Sequence, residues 1–335
     1  MTVLRTVRVA AIQATPVILD AEATVRKAVR LLGDAAQAGA ELAVLPETFV
    51  SLYPSNAWAH QAATFSGSDE LWERMWLSSV DVPGPLVDEL VAACRSLGMH
   101  VVVGVNERES ERPGTLYNTM LWLGPDGLLH KHRKLMPTQH ERLFHGIGRG
   151  DDLRAVSTDC GRIGGLICWE NRMPLARYAV YRQGPQIWAA PTADDSDGWI
   201  AHMRAIAIES GAFVISVPQY IPRTAFPADF PLALPERDVF GNGGAVIVHR
   251  PGARSSLDRS TARRACSSTT ATCGWAFTPS ASSMPSVTTP ATTCSPASSR
   301  PPRPSPATRP RRPAPSPPDA GRADRPRPPA APSRA

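Results

Sequence analysis

The chain has 335 residues, 42% of them hydrophobic, and six scattered cysteines without a CxxC spacing, so it holds one large core or two domains and is neither a zinc module nor a small disulfide scaffold. Its formal charge of +6 misleads, because residues 251–335 carry 13 arginines against three aspartates, a net of +10, which leaves the first 250 residues at −4. A mildly acidic body without an 18-residue apolar run or a signal-peptide pattern excludes a nucleic-acid surface and a membrane span, and makes the cytoplasm the expected compartment.

Residues 7–13, VRVAAIQ, read as a first strand. Residues 20–38 have helical periodicity, with Val25, Ala28, Val29 and Leu32 on one face and Gly39 as the stop. ELAVL, 41–45, is a second strand ending in Pro46-Glu47, so the chain begins strand, helix, strand. Loop sequence fills 48–68, and helices follow over 69–79 and 83–98, the second opened by Pro83 and Pro85 and closed by Gly98. HVVVGV, 100–105, is a strand, and 118–134 is a hairpin around a Pro-Asp-Gly turn. The second half repeats the alternation: strands over 163–167, 187–192, 213–218 and 243–248, helices over 174–183 and 199–210. This predicts an α/β fold of two similar halves, each a sheet with a helical layer.

Three residues hold comparable places in that plan. Glu47 follows the second strand, Lys134 ends the hairpin, and Cys168 follows the strand at 163–167 in GGLICWENRMP. Loops at the carboxyl ends of parallel strands line one crevice, so residues far apart in sequence meet there. A cysteine by itself is more often a buried structural thiol, and Cys94 and Cys160 are read that way. A thiol needs a base or a cation to become a nucleophile. Glu47 supplies the one and Lys134 the other, and the lysine also stabilises negative charge on an adduct.

These stretches resemble the nitrilase branch of the carbon–nitrogen hydrolase superfamily. The resemblance covers about residues 5–250, through LPETF around Glu47, HRKLMPTQHERLFHGIGRG at 132–150, GRIGGLICWENRMPLARYA at 161–179 and APTADDSDGW at 190–199. The tryptophan within CWEN resembles the nitrilase branch, whereas amidase branches more often carry tyrosine there. The resemblance implies a four-layer α-β-β-α sandwich and a homo-oligomer, with no cofactor or metal. It makes Glu47, Lys134 and Cys168 the catalytic residues and Glu141, in HER, a second glutamate that orients the lysine and substrate. It implies a nitrile as substrate, with water, converted to an acid and ammonia through a covalent cysteine thioimidate and thioester; an amidase or a cyanide-hydrating enzyme is the alternative. Tyr53 and His132, beside catalytic segments, are pocket candidates, and the Trp169 backbone N–H is a candidate second donor to the charged adduct. One departure is SLYP at 51–54, where relatives commonly have glycine before Tyr53.

After residue 249 the sequence changes character. Residues 251–335 hold 18 of the 34 prolines and no lysine, glutamate or tyrosine, a composition with no means of closing a core. The family needs further strands here. Reading SMPSVTTPATTCS from the third base of each codon, with G/C-ending codons where possible, allows Asp-Ala-Val-Gly-His-Tyr-Ala-Arg-Asp-Asp-Val-Leu. The same offset serves three strings between Ser256 and Ser295, and the results resemble the family's C-terminal portion. The expected organisation is therefore a carbon–nitrogen hydrolase domain over 1–250 and a low-complexity, disordered Pro/Arg/Ser/Thr-rich tail over 251–335, read as a frameshifted C-terminus that leaves C-terminal strands missing.

Overall fold

The computed structural model describes residues 7–64, 67–194 and 196–240, together with the backbone of 246–248 and 271–277. The strands are β1 Val7–Gln13, β2 Leu42–Val44, β3 His100–Arg108, β4 Leu116–Gly124, β5 Gly127–Arg133, β6 Val156–Thr158, β7 Gly161–Gly165, β8 Ile187–Thr192, β9 Phe213–Pro218, β10 Val246–Val248 and β11 Ala271–Phe277. The α-helices are α1 Ala21–Gln37, α2 Ser68–Leu77, α3 Pro85–Leu97, α4 Pro174–Tyr181 and α5 Asp197–Ser210. One sheet has the order β11-β1-β2-β3-β4-β5, the other β10-β9-β8-β7-β6.

The layering follows from the period-2 alternation of strands that are apolar on both faces. In β1, Ala10 and Ile12 join the core under α1 and α3, while Val7, Val9 and Ala11 join a second core between the sheets. In the same way Ala43 faces the helices, and Leu42 and Val44 meet Ile163, Ile187 and Ile215 of the other sheet. Trp188 and Ala190 of β8 pack with Trp199, Met203 and Ile206 of α5 in a third core. Helix, sheet, sheet and helix are thus bound by three apolar layers, which is the expected α-β-β-α sandwich.

Element ends follow local chemistry. Asp20 caps α1, its Oδ1 accepting the Ala23 N–H at 2.8 Å. Gly98 ends α3 in the left-handed conformation, with φ 63°. The periodicity reading passed over β6, which has only three residues, and the 3₁₀ turns Gln139–Leu143 and Cys168–Arg172, which are too short to carry a period.

One strand, β11, falls within the stretch 251–335 and joins the first sheet. This strand pairs antiparallel with β1, Val7 opposite Phe277 and Gln13 opposite Ala271. ATCGWAF is free of proline and charge, so it can enter a ladder in spite of its low-complexity surroundings. The remainder of the expected tail, with the frameshift reading and residues 243–245 of the last expected strand, lies outside the described residues.

Candidate active site

Both sheets deliver side chains to one end of the sandwich. Glu47 follows β2, Lys134 follows β5, and Cys168 follows β7. Because β4 runs antiparallel to β3 and β5, it reaches the same end with its amino-terminal part, which brings in Asn118. Thr192 ends β8, and Gln219 stands directly after β9.

Lys134 is completely buried. Its Nζ donates to Glu47 Oε1 at 2.6 Å and to Glu141 Oε2 at 2.7 Å. The Asn118 amide bridges the same carboxylates, 2.7 Å from Glu47 Oε1 and 2.7 Å from Glu141 Oε1. Glu141 is held further by the Thr138 N–H at 2.8 Å and by His145 Nδ1 at 3.2 Å. Tyr53 is buried here too, its hydroxyl donating to Glu141 Oε2 at 3.4 Å. The other Glu47 oxygen, Oε2, is buried without a hydrogen-bond partner among the described residues. Cys168 lies in a sharp turn at φ 47° and accepts the Thr192 hydroxyl at 3.2 Å. Asn171 braces that turn, donating to Leu166 O at 2.8 Å and Cys168 O at 2.9 Å, while Trp188 Nε1 holds its oxygen at 2.8 Å.

The electrostatics match this crowding. Burial pushes the Cys168 thiol up to about 12, with Glu47 adding to the shift and Lys134 opposing it. Burial also raises Glu47; Lys134 works against that, and Glu141 adds to it. Glu141 goes the other way: burial would raise it, but Lys134 and His145 outweigh burial and hold it well below the usual carboxylate range. Lys134 keeps its proton firmly, since Glu141 and Glu47 overcome the cost of burial. The cluster is one firm cation, one firm anion, one carboxylate poised to take a proton, and a neutral thiol.

Of the other sequence candidates, Trp169 is 45% exposed with the Arg172 guanidinium over its ring. Its N–H falls in the first turn after Cys168, where helical donors lack intrahelical partners. His132 is buried, and both ring nitrogens are engaged by carboxylates, Asp152 Oδ1 at 2.7 Å and Glu170 at 3.0 Å. That leaves no nitrogen for a substrate. Cys94 is a buried free thiol, and Cys160 is buried with its thiol donating to the Glu41 carbonyl at 3.5 Å. Among the described residues no group of three or more metal-ligating side chains is assembled, and no helix is long and apolar enough to cross a membrane.

The periodicity reading missed Asn118, Asn106, His145, Thr192, Gln219, Glu170 and Asp152. A signal existed for the asparagines, which are polar residues inside apolar strands; they stand opposite each other in the β3–β4 register. Gln219 carried no signal. Its amide reaches across from the second sheet to the Glu47 carbonyl and, at 3.2 Å, to the Thr48 hydroxyl.

Two expectations arise here. Gly104 of β3 lies against the Glu47 turn, where a Cβ would stand 2.5 Å from Pro46 O and 2.7 Å from Glu47 Cα. Gly104→Ala is expected to cost about 1–3 kcal/mol of stability and to displace Glu47, which urea melts and a turnover assay would register together. The second concerns His132. Burial disfavours its charge, yet Glu170 and Asp152 carry its pKa from 6.5 to about 10. Its contribution to stability is complete below the unfolded value near 6.5 and is lost as the pH rises toward 10, a change on the order of 3–5 kcal/mol. The Tm difference between the parent and His132→Gln should therefore narrow from pH 6 to pH 10.

Comparison with known proteins agrees with the geometry. Residues 8–249 match the family described as Carbon-nitrogen hydrolase. The chain is 44% identical over 246 residues to an aliphatic nitrilase of Sinorhizobium fredii, covering 72% of this chain and 79% of the relative. It is 41% identical over 259 residues to a bifunctional nitrilase/nitrile hydratase of Nicotiana tabacum, covering 74% and 73%. In fold it resembles Saccharomyces cerevisiae Nit3, a nitrilase-superfamily member, with a TM-score of 0.59 at 20% identity over 76% of this chain and 86% of that one. The four-layer sandwich, the motif segments at its open end and these similarities make the chain a member of the nitrilase branch of the carbon–nitrogen hydrolase superfamily.

Proposed function

We propose that this protein is a nitrilase that hydrolyses an organic nitrile to a carboxylic acid and ammonia, with Glu47, Lys134 and Cys168 as catalytic residues and Glu141 orienting the lysine. The observation that carries this reading is the buried Lys134 bridging Glu47 and Glu141 beside a buried Cys168, in a chain similar to nitrilases.

Since the thiol is neutral at rest, it loses its proton only as it attacks. Glu47 takes that proton on its free oxygen. Sulfur adds to the nitrile carbon, the C≡N bond becomes C=N, and the nitrogen takes up a proton to give a thioimidate. Lys134 stabilises the charge developing on nitrogen, and the Trp169 N–H is the second donor. Glu47 then activates a water, whose addition gives a tetrahedral adduct bearing hydroxyl, amino and thioether groups. Loss of ammonia leaves a thioester, and a second water releases the acid and restores the thiol. Two waters are consumed, and no cofactor is called on. If the tetrahedral adduct expels the thiolate instead, an amide leaves after one water. Similarity to the bifunctional nitrilase/nitrile hydratase of Nicotiana tabacum favours that branch as a minor one.

Ammonia release from aliphatic, aromatic and arylacetonitriles, against the matched amides, tests the reading. Nitriles are expected to react and amides to lag; amides reacting as fast would make it an amidase. Labelling of Cys168 by an electrophile at neutral pH, lost in Glu47→Gln, would set aside a catalytically dead binding protein. Because Glu47 must be ionised to act and burial raises it, activity should fall on the acid side above the usual carboxylate range of about 4, as a pH–rate profile would record. The proposal takes residues 1–250 as the catalytic domain and 251–335 as the product of a frameshift. Sequencing the gene around codons 249–256 decides that point, and the assays should run on both the 335-residue and the frame-restored chains.

A further inference from the structure

We propose that Asp152, His132 and Glu170 form a buried positioning clamp that holds Lys134 and Cys168 at their working separation, an inference that rests on the nitrilase reading above. Glu170 is fully buried, two residues after Cys168. One of its oxygens accepts the Ile167 N–H at 2.8 Å, and the other accepts the Leu135 N–H at 2.6 Å. The Leu166–Ile167 peptide, one residue before the nucleophile, and the Lys134–Leu135 peptide leaving the lysine therefore hang on one carboxylate. On the other side of Lys134, the Arg133 N–H donates to Asp152 Oδ2 at 2.9 Å. His132 joins the two anchors: Nδ1 meets Asp152 Oδ1 at 2.7 Å, and Nε2 lies 3.0 Å from both oxygens of Glu170. Carboxylates thus hold the His132–Arg133 and Lys134–Leu135 peptides on either side of Lys134, and an imidazole fixes the carboxylates to each other.

The chemistry requires these residue types. Glu170 meets only donors, which suits a carboxylate and not an amide. His132 between two carboxylates is an imidazolium, donating from both nitrogens, with a pKa near 10. It supplies the positive charge that offsets the fully buried Glu170 and the partly exposed Asp152. None of the three touches the reacting atoms; they act through Lys134 and the Cys168 turn, where a displacement of about 1 Å costs on the order of 100-fold in rate.

The test uses the full-length protein, with two readouts: ammonia release from a nitrile, and the rate at which iodoacetamide alkylates Cys168, followed by mass spectrometry. Glu170→Gln puts an amide NH₂ against backbone donors. It is expected to lower kcat about 100-fold with KM within about threefold, and to slow alkylation about tenfold. His132→Gln should do the same. The double variant should be no worse than either single one, because the clamp acts as a unit. Asp152→Asn lies at the outer end, where the side chain is 23% exposed, and decides the matter if the inner variants fail to fold; it should lose about tenfold in kcat. Parent-like kcat and alkylation in Asp152→Asn or Glu170→Gln would overturn the clamp, as would multiplicative losses in the double variant. The two readings fail separately. A parent chain that is alkylated at Cys168 but releases ammonia from no nitrile sinks the nitrilase reading, while the alkylation series still judges the clamp.

Discussion

Cys168→Ser is expected to fold like the parent and to release ammonia from no nitrile, a loss on the order of 10⁴-fold or more. The serine hydroxyl fits the same turn and can keep the hydrogen bond from Thr192, which reaches the sulfur at 3.2 Å. Stability should therefore change by less than about 1 kcal/mol. Reactivity is another matter. The thiol is already raised to about 12 by burial, and in the proposed mechanism Glu47 takes its proton only because the nearby lysine stabilises what forms. A hydroxyl is several pKa units harder to ionise than a thiol, beyond the reach of one carboxylate. Matched Tm values with residual turnover above about 1% would remove Cys168 from the mechanism.

Lys134→Met is expected to be worse than inactive. It removes the buried cation between Glu47 and Glu141, whose oxygens lie 2.6 and 2.7 Å from Nζ. Asn118 remains as a shared donor, but it carries no charge. Breaking a buried ion pair from one side costs about 3–5 kcal/mol, or roughly 6–20 °C in Tm for a domain of this size. The loss should be larger at pH 8 than at pH 5, because at the lower pH a carboxylate relieved of its lysine takes up a proton. Adding Glu141→Gln removes one uncompensated charge and should restore at least half of the Tm, with no return of turnover. Thermal melts of the three proteins at both pH values provide the check; a single variant as stable as the parent at pH 8 would contradict the buried ion-pair arrangement.

The two predictions draw on different levels of legibility. Cys168 and Glu47 could be picked out because each stands at the end of an apolar run, and Lys134 because it ends the hairpin strand; strand ends in a parallel arrangement converge. Glu141 came from the resemblance, since its 3₁₀ turn has no period. Asn118 could have been found as a polar residue in a buried strand; Gln219 could not, because its partner is a carbonyl 172 residues away. His132 stands out in the sequence only for its closeness to Lys134, which does not reveal the partners of its ring. On a strand, side chains two residues apart share a face, but which groups fill the space beyond that face is decided by other segments. Here Asp152 and Glu170 fill it.

The sequence by itself determined the alternation of strands and helices, the two-halved α/β plan, and the three residue types at strand ends, because hydrophobic period and turn chemistry are local properties of the chain. Only the tertiary structure decided that β11 closes the first sheet beside β1, that one ammonium joins two carboxylates, and that a buried histidine ties the lysine strand to the cysteine turn. Those outcomes depend on packing between segments distant in the chain, where burial raises some proton affinities and opposite charge lowers others. No local pattern carries that information.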